Sequence, residues 1–322
     1  MHPLELGVEP VIEGVIRIGT VVKGTSMLLN LYLIEGREWI ITDAGCAGTI
    51  TETVQPALDL LRRGARIGRA VVCHAHADHF GGAYELLETY RGCEILVHRL
   101  DAAWVRDPGW HLRDAYDRLG ADYPCPEELK AWVSALLGPG VPVRYLEAGD
   151  RISLDDGTAL HVVFTPGHSP GHVVLWEPER RLVLASDAIL GDGQEASGMI
   201  VAIPSYLDVE DYLGSIHTIQ ILRPEVLCMA HFPVMRGDAI EEFCNKSEEF
   251  VARLERVVWE ILAEHGPLGV QELTAKVLAV LAPQVVPTVV AGFSIQAHLD
   301  WLERRGLARW EVRNGIRMWL LN

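Results

Sequence analysis

Along the first hundred residues the apolar positions come in short runs separated by turn residues. Val15–Val22, Leu28–Ile34 and Trp39–Thr42 are rich in β-branched and apolar side chains, with Gly24 and Glu35-Gly36 between them, and they predict strands. Thr51–Arg62 instead repeats at helical spacing through Val54, Leu58 and Leu61, and stops at Arg63-Gly64. A short strand over Ala70–Cys73 runs directly into His74-Ala75-His76-Ala77-Asp78-His79. Gly81-Gly82, a helix over Ala83–Tyr90 and a strand at Glu94–His98 follow. From Asp101 to about Pro142 the chain is rich in Trp, Tyr, Arg and Asp, and Pro108, Pro124, Pro126 and Pro139 separate short helices. Strands resume at Arg151–Leu154, Leu160–Phe164, Val173–Trp176, Leu182–Ala185 and Val226–Met229. Two batches of strands with helices between them predict a four-layer α/β sandwich rather than a single parallel sheet.

From about Glu242 the pattern turns helical. Phe250, Leu254, Val257, Val258 and Ile261 line one face, Pro267-Leu268-Gly269 breaks the run, and helices are predicted at Val270–Leu281 and Ser294–Arg304. Asn314-Gly315 between two apolar segments signals a two-residue hairpin. Three helices and a terminal hairpin predict a small winged-helix-like domain at 244–322. It follows a larger domain at 1–243 that carries a helical insertion at about 101–145.

The 322 residues suffice for two such domains, and 49% hydrophobic against 22% charged is an ordinary globular balance. A formal net charge of -16 repels phosphate backbones and makes nucleic acid a poor partner. Met1-His2-Pro3-Leu4-Glu5 shows no secretory leader, and every apolar stretch is broken before membrane-spanning length. The six cysteines are scattered without a CxxC pair, which suits a reducing compartment. The expectation is a cytoplasmic protein, without membrane association, that acts on a small molecule.

The chemistry concentrates after the strand at Ala70–Cys73. Residues two apart in an extended loop project to one side, so His74 and His76 can reach one ion together. Asp78 and His79 lie where the chain turns into a helix and can face a second. Imidazole and carboxylate suit zinc, manganese or iron; the bland alternative is a solvated polar turn. His168 follows a strand in Thr165-Pro166-Gly167-His168, Ser186-Asp187 follows Leu182–Ala185, and His231 ends Val226–Ala230. Four strand ends would thus converge on one edge of the sandwich. His172 competes with His168 on proximity alone. His98, His111, His161, His217, His265 and His298 read as surface or hydrogen-bonded residues.

His-x-His-x-Asp-His, a later Thr-Pro-Gly-His, an Asp after an apolar strand and a final His resemble the metallo-β-lactamase fold superfamily, over roughly residues 10–240. The pattern is similar to its glyoxalase II and lactonase side. The resemblance implies a four-layer αββα sandwich. One metal would sit on His74, His76 and His168 and a second on Asp78, His79 and His231, with Asp187 bridging. Asp43, in Asp43-Ala44-Gly45, would support the metal loop from behind. It implies a hydrolase using two divalent ions, zinc first and manganese or iron as alternatives, with Asp78 as the proton-relaying catalytic group. A thioester, a lactone or a related small carbonyl ester is the expected substrate.

A mononuclear-iron sulfur dioxygenase is the alternative from another enzyme class. A nuclease using the winged helix is a third, since the C-terminal region is similar to extensions of the β-lactamase-like-2 group, some of which act on RNA. Its charges nearly cancel, so cleft-lining is the expected role. Trp104, Trp110 and Tyr116 in the insertion, with Tyr206 and Tyr212, are candidate substrate contacts. The insertion's aromatics read as a lid over the cleft, with a small core of their own or a homodimer contact as the alternative. Arg106, Arg113 and Arg118 read as a solvated helix face or as binders of a substrate anion.

Overall fold

The central strands of both sheets are buried on both faces, which explains why their apolar runs do not alternate with polar residues. The computed structural model describes residues 7–196 and 198–322; the N-terminal residues on which the leader reading rests lie outside them. The first sheet is β1 (Val8–Ile12), β2 (Val15–Val21), β3 (Leu28–Ile34), β4 (Trp39–Thr42), β5 (Ile67–Val72), β6 (Glu94–His98) and β7 (Arg144–Leu146), paired in that order. It is antiparallel through β4 and parallel from β4 to β7. The second sheet runs β15-β14-β11-β10-β9-β8, from β8 (Arg151–Ser153), β9 (Ala159–Phe164), β10 (Val173–Glu177), β11 (Leu182–Ser186), β14 (Val226–Met229) and β15 (Met235–Arg236). A hairpin of β12 (Gln194–Ala196) and β13 (Met199–Ala202) stands apart.

Single strands show the layering. Val71, Leu182 and Leu184 point into the core between the sheets. Ala70 and Val72 point outward against α1 (Gln55–Leu61) and the helix after the metal loop, while Val183 and Ala185 point to the opposite outer layer. The expected αββα order is therefore present. β9 and β11 both pair antiparallel with β10, and β14 lies parallel to β11. The C-terminal ends of β9, β11 and β14 thus share one edge.

On the first sheet's outer side lie α2 (Ala77–Phe80), α3 (Ala83–Thr89), and the insertion helices α4 (Ala102–Arg106), α5 (Pro108–His111) and α6 (Glu127–Leu136). On the second sheet's side lies α7 (Val209–Leu222), which the sequence reading did not anticipate; the Asp208 side chain caps it by accepting from the Asp211 N–H. Beyond it come α8 (Asp238–His265), β16 (Leu268–Gly269), α9 (Val270–Leu281), α10 (Val289–Arg304), β17 (Ala308–Arg313) and β18 (Ile316–Leu321). The last helix begins five residues before the expected Ser294, because Thr288 accepts from Ala291 N–H and caps it there. Asn314 and Gly315 both take positive φ, at 53° and 80°, as the hairpin reading requires.

α8 runs unbroken through residues 243 and 244. One core joins Val183 and Ile216 to Leu254, Leu273 and Leu299. The C-terminal region is therefore packed onto the second sheet by a continuous apolar layer rather than tethered to it. Among the described residues no helix is long and apolar enough to cross a membrane, and all six cysteines are buried and unpaired.

Candidate metal centre

β5 ends in buried Ala70, Val71 and Val72, so the chain enters the next loop from a fixed position. The Cys73 N–H donates to Asp43 Oδ1 at 2.8 Å. His76 is extended, and α2 begins directly after it, so Asp78 and His79 leave the chain from a helical turn. The His74 ring stays close to both neighbours, 4.0 Å from that of His79 and 4.8 Å from that of His76. Asp43 holds the loop from behind: its Oδ2 accepts from His79 Nδ1 at 3.0 Å and from the Ser186 hydroxyl at 2.7 Å. Asp43 and Ser186 both take positive φ, at 61° and 47°, a costly conformation for residues with a Cβ and one that clusters at functional sites.

Three groups of donor atoms converge: His74, His76 and His168; His74, His79 and Asp187; and Asp78, His79 and His231. Asp187 Oδ2 lies 3.6 Å from His79 Nε2, 3.6 Å from His168 Nε2 and 3.3 Å from His231 Nε2. Asp78 Oδ2 lies 3.5 Å from His79 Nε2 and 3.3 Å from His231 Nε2. Tetrahedral coordination with bonds of about 2.0–2.1 Å separates its donor atoms by about 3.4 Å. The carboxylates and imidazoles are spaced as the corners of such a polyhedron, too far apart for good hydrogen bonds to one another.

The tautomers agree with this. His168 Nδ1–H donates to Ser205 O and His231 Nδ1–H to Leu28 O, each at 2.6 Å, and His79 Nδ1–H to Asp43. Each bond leaves Nε2 with its lone pair free to ligate. Nε2 of His74, His79, His168 and His231 and Oδ1 of Asp187 are buried without a hydrogen-bond partner among the described residues. So many unpaired buried polar atoms around one point would be expensive unless a cation belonged there. The donor set fits divalent metal.

Charge is divided unevenly between the two sides. Burial pushes His74, His76 and His168 below the usual imidazole range, which keeps them neutral. At His79 and His231 burial acts in the same sense but is outweighed by the facing carboxylates. Both are raised, His231 to about 10. Burial likewise opposes ionisation of Asp78 and Asp187, and the imidazoles of His79 and His231 override it and hold both carboxyls well below their ordinary range. The Asp78 side demands positive charge, whereas the His74 side offers neutral lone pairs.

All seven expected ligands therefore meet. His172 does not join them: its Nδ1 pairs with the Thr165 hydroxyl at 3.0 Å and its ring stacks on His74. The expected substrate contacts divide. Tyr116 lines the cleft beside His76, Asp78, His168, Asp187 and His231. Trp104 does not; it is buried, donates through Nε1 to Asp114 and lies parallel to the His76 ring at 6.3 Å. Trp110 is exposed outside the cleft, against Arg113. Tyr206 and Tyr212 are fully buried and stacked on each other, one hydroxyl bonded to His298 Nε2 and the other accepting from Leu190 N–H, both at 2.8 Å. They are corrected to core residues, because an apolar core accepts a tyrosine once its hydroxyl is paired.

Two supports escaped the sequence reading. Asp101, taken only as the start of the insertion, is buried and ties both ligand loops together. Its carboxylate accepts from Ala75 N–H (3.0 Å), Ser169 Oγ–H (2.6 Å) and Gly171 N–H (2.6 Å). Burial nonetheless raises its pKa to about 6. Ser294 on α10 donates to Pro204 O at 2.6 Å and accepts from Tyr206 N–H at 3.1 Å, gripping the residues on either side of the Ser205 carbonyl that orients His168. No local pattern marks either residue, since each acts on partners distant in sequence.

The model of the Metallo-beta-lactamase superfamily matches residues 25–231, from the turn before β3 to His231. The chain belongs to this superfamily. Proteins similar to it include "Probable metallo-hydrolase YflN" of Bacillus subtilis, 24% identical over 72% of this chain and 90% of that protein. "Atrochrysone carboxyl ACP thioesterase" of Passalora fulva is 23% identical over 93% of this chain and 78% of its own length. A Thermus thermophilus metallo-beta-lactamase family protein, TTHA1429, superposes with a TM-score of 0.75 at 22% identity, covering 97% of this chain and all of its own. That likeness of fold takes in the C-terminal helices as well as the sandwich.

Proposed function

We propose that this chain is a dinuclear metal-dependent hydrolase acting on a thioester, a lactone or a related small carbonyl ester. The observation that carries the reading is Asp187, whose Oδ2 stands within 3.6 Å of imidazole nitrogens belonging to both ligand groups. A single ion on three ligands would leave the other group's buried nitrogens unpaired. His74, His76 and His168 would hold one ion and Asp78, His79 and His231 the other, with Asp187 shared and zinc the first candidate. Two such ions, when bound, supply an activated water and a Lewis acid for the carbonyl. Asp78 lines the cleft together with His76, His168 and Asp187 and can accept the proton released on attack. The walls around Tyr116 limit competing water. Burial drives the thiol of Cys73, which precedes the loop in sequence, well above its ordinary pKa, so it stays protonated rather than nucleophilic.

Residues 244–322, in the order helix, strand, helix, helix, strand, strand, fit a winged-helix-like module that serves here as part of the cleft rather than as a nucleic-acid reader. Arg304, Arg305, Arg313 and Arg317 are paired with Asp208, Glu255, Glu311 and Asp122, which leaves few cations for phosphates. The test is elemental analysis combined with a panel of thioesters and lactones. Two zinc or manganese per chain, with hydrolysis lost on chelation and restored by metal, is expected. One iron per chain with thiol-dependent oxygen uptake would replace this reading with a dioxygenase.

A further inference from the structure

Beside the ligand cluster the cleft has two unlike compartments that meet at His231, with β12 between them. The inner one has a volume of about 130 Å³, touches His76, Asp78, His168 and Asp187, and is otherwise walled mainly by apolar side chains. The outer one, about 450 Å³, exposes Ser26, Asp192, Glu195 and Lys246. Gln194 faces the inner compartment while Gly193 and Glu195 face the outer, as alternation along a strand requires.

The inner walls come from three distant parts of the chain. Met27 lies in the turn before β3, Tyr116, Leu129 and Trp132 in the insertion, and Val290 and Phe293 on α10. Insertion and α10 close tightly on each other: a Cβ added at Gly292 would come within 2.8 Å of the Tyr123 ring. The compartment therefore cannot widen cheaply, because the two walls are already in contact. A cavity of about 150 Å³ lined by aliphatic and aromatic side chains admits benzene; this one is smaller and shares its space with the ligand cluster, so about six carbons is the upper bound for an apolar group in it.

We infer, building on the hydrolase reading, that the substrate is an ester or thioester of a short apolar acyl group. The acyl part, a chain of up to about six carbons or one ring, lies in the inner compartment with its carbonyl at the ligand cluster. The polar leaving portion lies in the outer compartment. The C-terminal helix is thereby a specificity element, setting acyl length through Val290 and Phe293.

The test uses the full chain loaded with zinc and straight-chain thioesters of N-acetylcysteamine from two to twelve acyl carbons, with binding of the matching alkyl hydroxamic acids measured by calorimetry. Each methylene buried should raise kcat/KM about three- to fourfold up to about six carbons, with at least a tenfold fall by twelve. Trp132→Ala and Phe293→Ala should move the optimum to longer chains, and Val290→Phe, which fills the space instead of emptying it, to shorter ones. A flat profile, or an optimum that all three variants leave in place with metal content intact, overturns the inference. Absence of any ester or thioester turnover, together with hydroxamate affinities that still peak near six carbons, would overturn the hydrolase reading and leave the compartment assignment standing.

Discussion

The two main ligand-bearing loops are held in opposite ways. The His74–His79 loop is braced by residues of its own sheet and the loops at its strand ends: Asp43 takes the Cys73 N–H and His79, and Asp101 takes the Ala75 N–H. The His168 loop depends on helices far along the chain. Gly167 has φ of 121° and lies where a Cβ would come within 2.5 Å of the Tyr212 backbone nitrogen on α7. Its neighbour His168 is aimed by Ser205, whose flanks are gripped by Ser294 and, through Tyr206, by His298 on α10. One half of the centre is braced locally. The other shares the Asp101 brace through Ser169 and Gly171 but takes its remaining supports from α7 and the C-terminal helix.

Asp187 joins the halves, and its removal should have the largest effect. Asp187→Asn is expected to lower metal content below one ion per chain and activity by a hundredfold or more; elemental analysis showing two ions and full turnover would disprove sharing. Next comes the brace of the local loop. Asp43→Ala leaves His79 and Ser186 without their buried partner and should weaken metal affinity about 10–100-fold, the usual cost of losing such an outer support. Chelator competition reads this directly, and unchanged affinity would mean that the loop holds itself.

Acid should separate the halves in the other direction. Burial pushes His298 down to about 3, from 6.5. Its folded pKa lies below its unfolded one, so the unfolded state binds more protons between those values. The contribution is intact above about pH 6.5 and is lost as pH falls toward 3. Going from pH 7 to pH 5 should cost the native state about 2 kcal/mol from this residue. His298→Asn should flatten that part of the stability-against-pH curve, and denaturant titrations that show the same slope in both proteins would exclude the residue. The smallest effect expected is that of Ser294→Ala. It should weaken zinc binding about tenfold while reducing the stability of the fold by only about 1–2 kcal/mol, and a stability loss with unaltered zinc affinity would reduce Ser294 to a packing role.

How much was legible follows the same division. The converging donor cluster could be read because metal chemistry restricts residue types, and because β5, β9, β11 and β14 end in sequence shortly before the residues that converge. Asp43 was legible through its turn. The strands were legible where burial on both faces leaves an unbroken apolar run, as in Leu182–Ala185 and Val226–Met229. α7 was missed because its buried positions, Val209, Tyr212, Ser215, Ile216 and Ile219, include polar-capable residues, and exposed Ile221 blurs the stripe. The aromatic residues were legible as a class but not by role. Tyr116 and Tyr206 look alike in sequence, and only packing turns one toward the cleft and pairs the other with His298.

The sequence by itself determined that four strand ends would carry seven metal-competent side chains, since residue chemistry and strand-end position are local properties. Only the tertiary structure decided that Asp187 stands between both groups, that Asp101 and Ser294 hold the loops, and that α10 closes the cleft. Those are distances between segments separated by tens to more than a hundred residues. They are fixed by how apolar faces pack, and no window along the chain contains both partners.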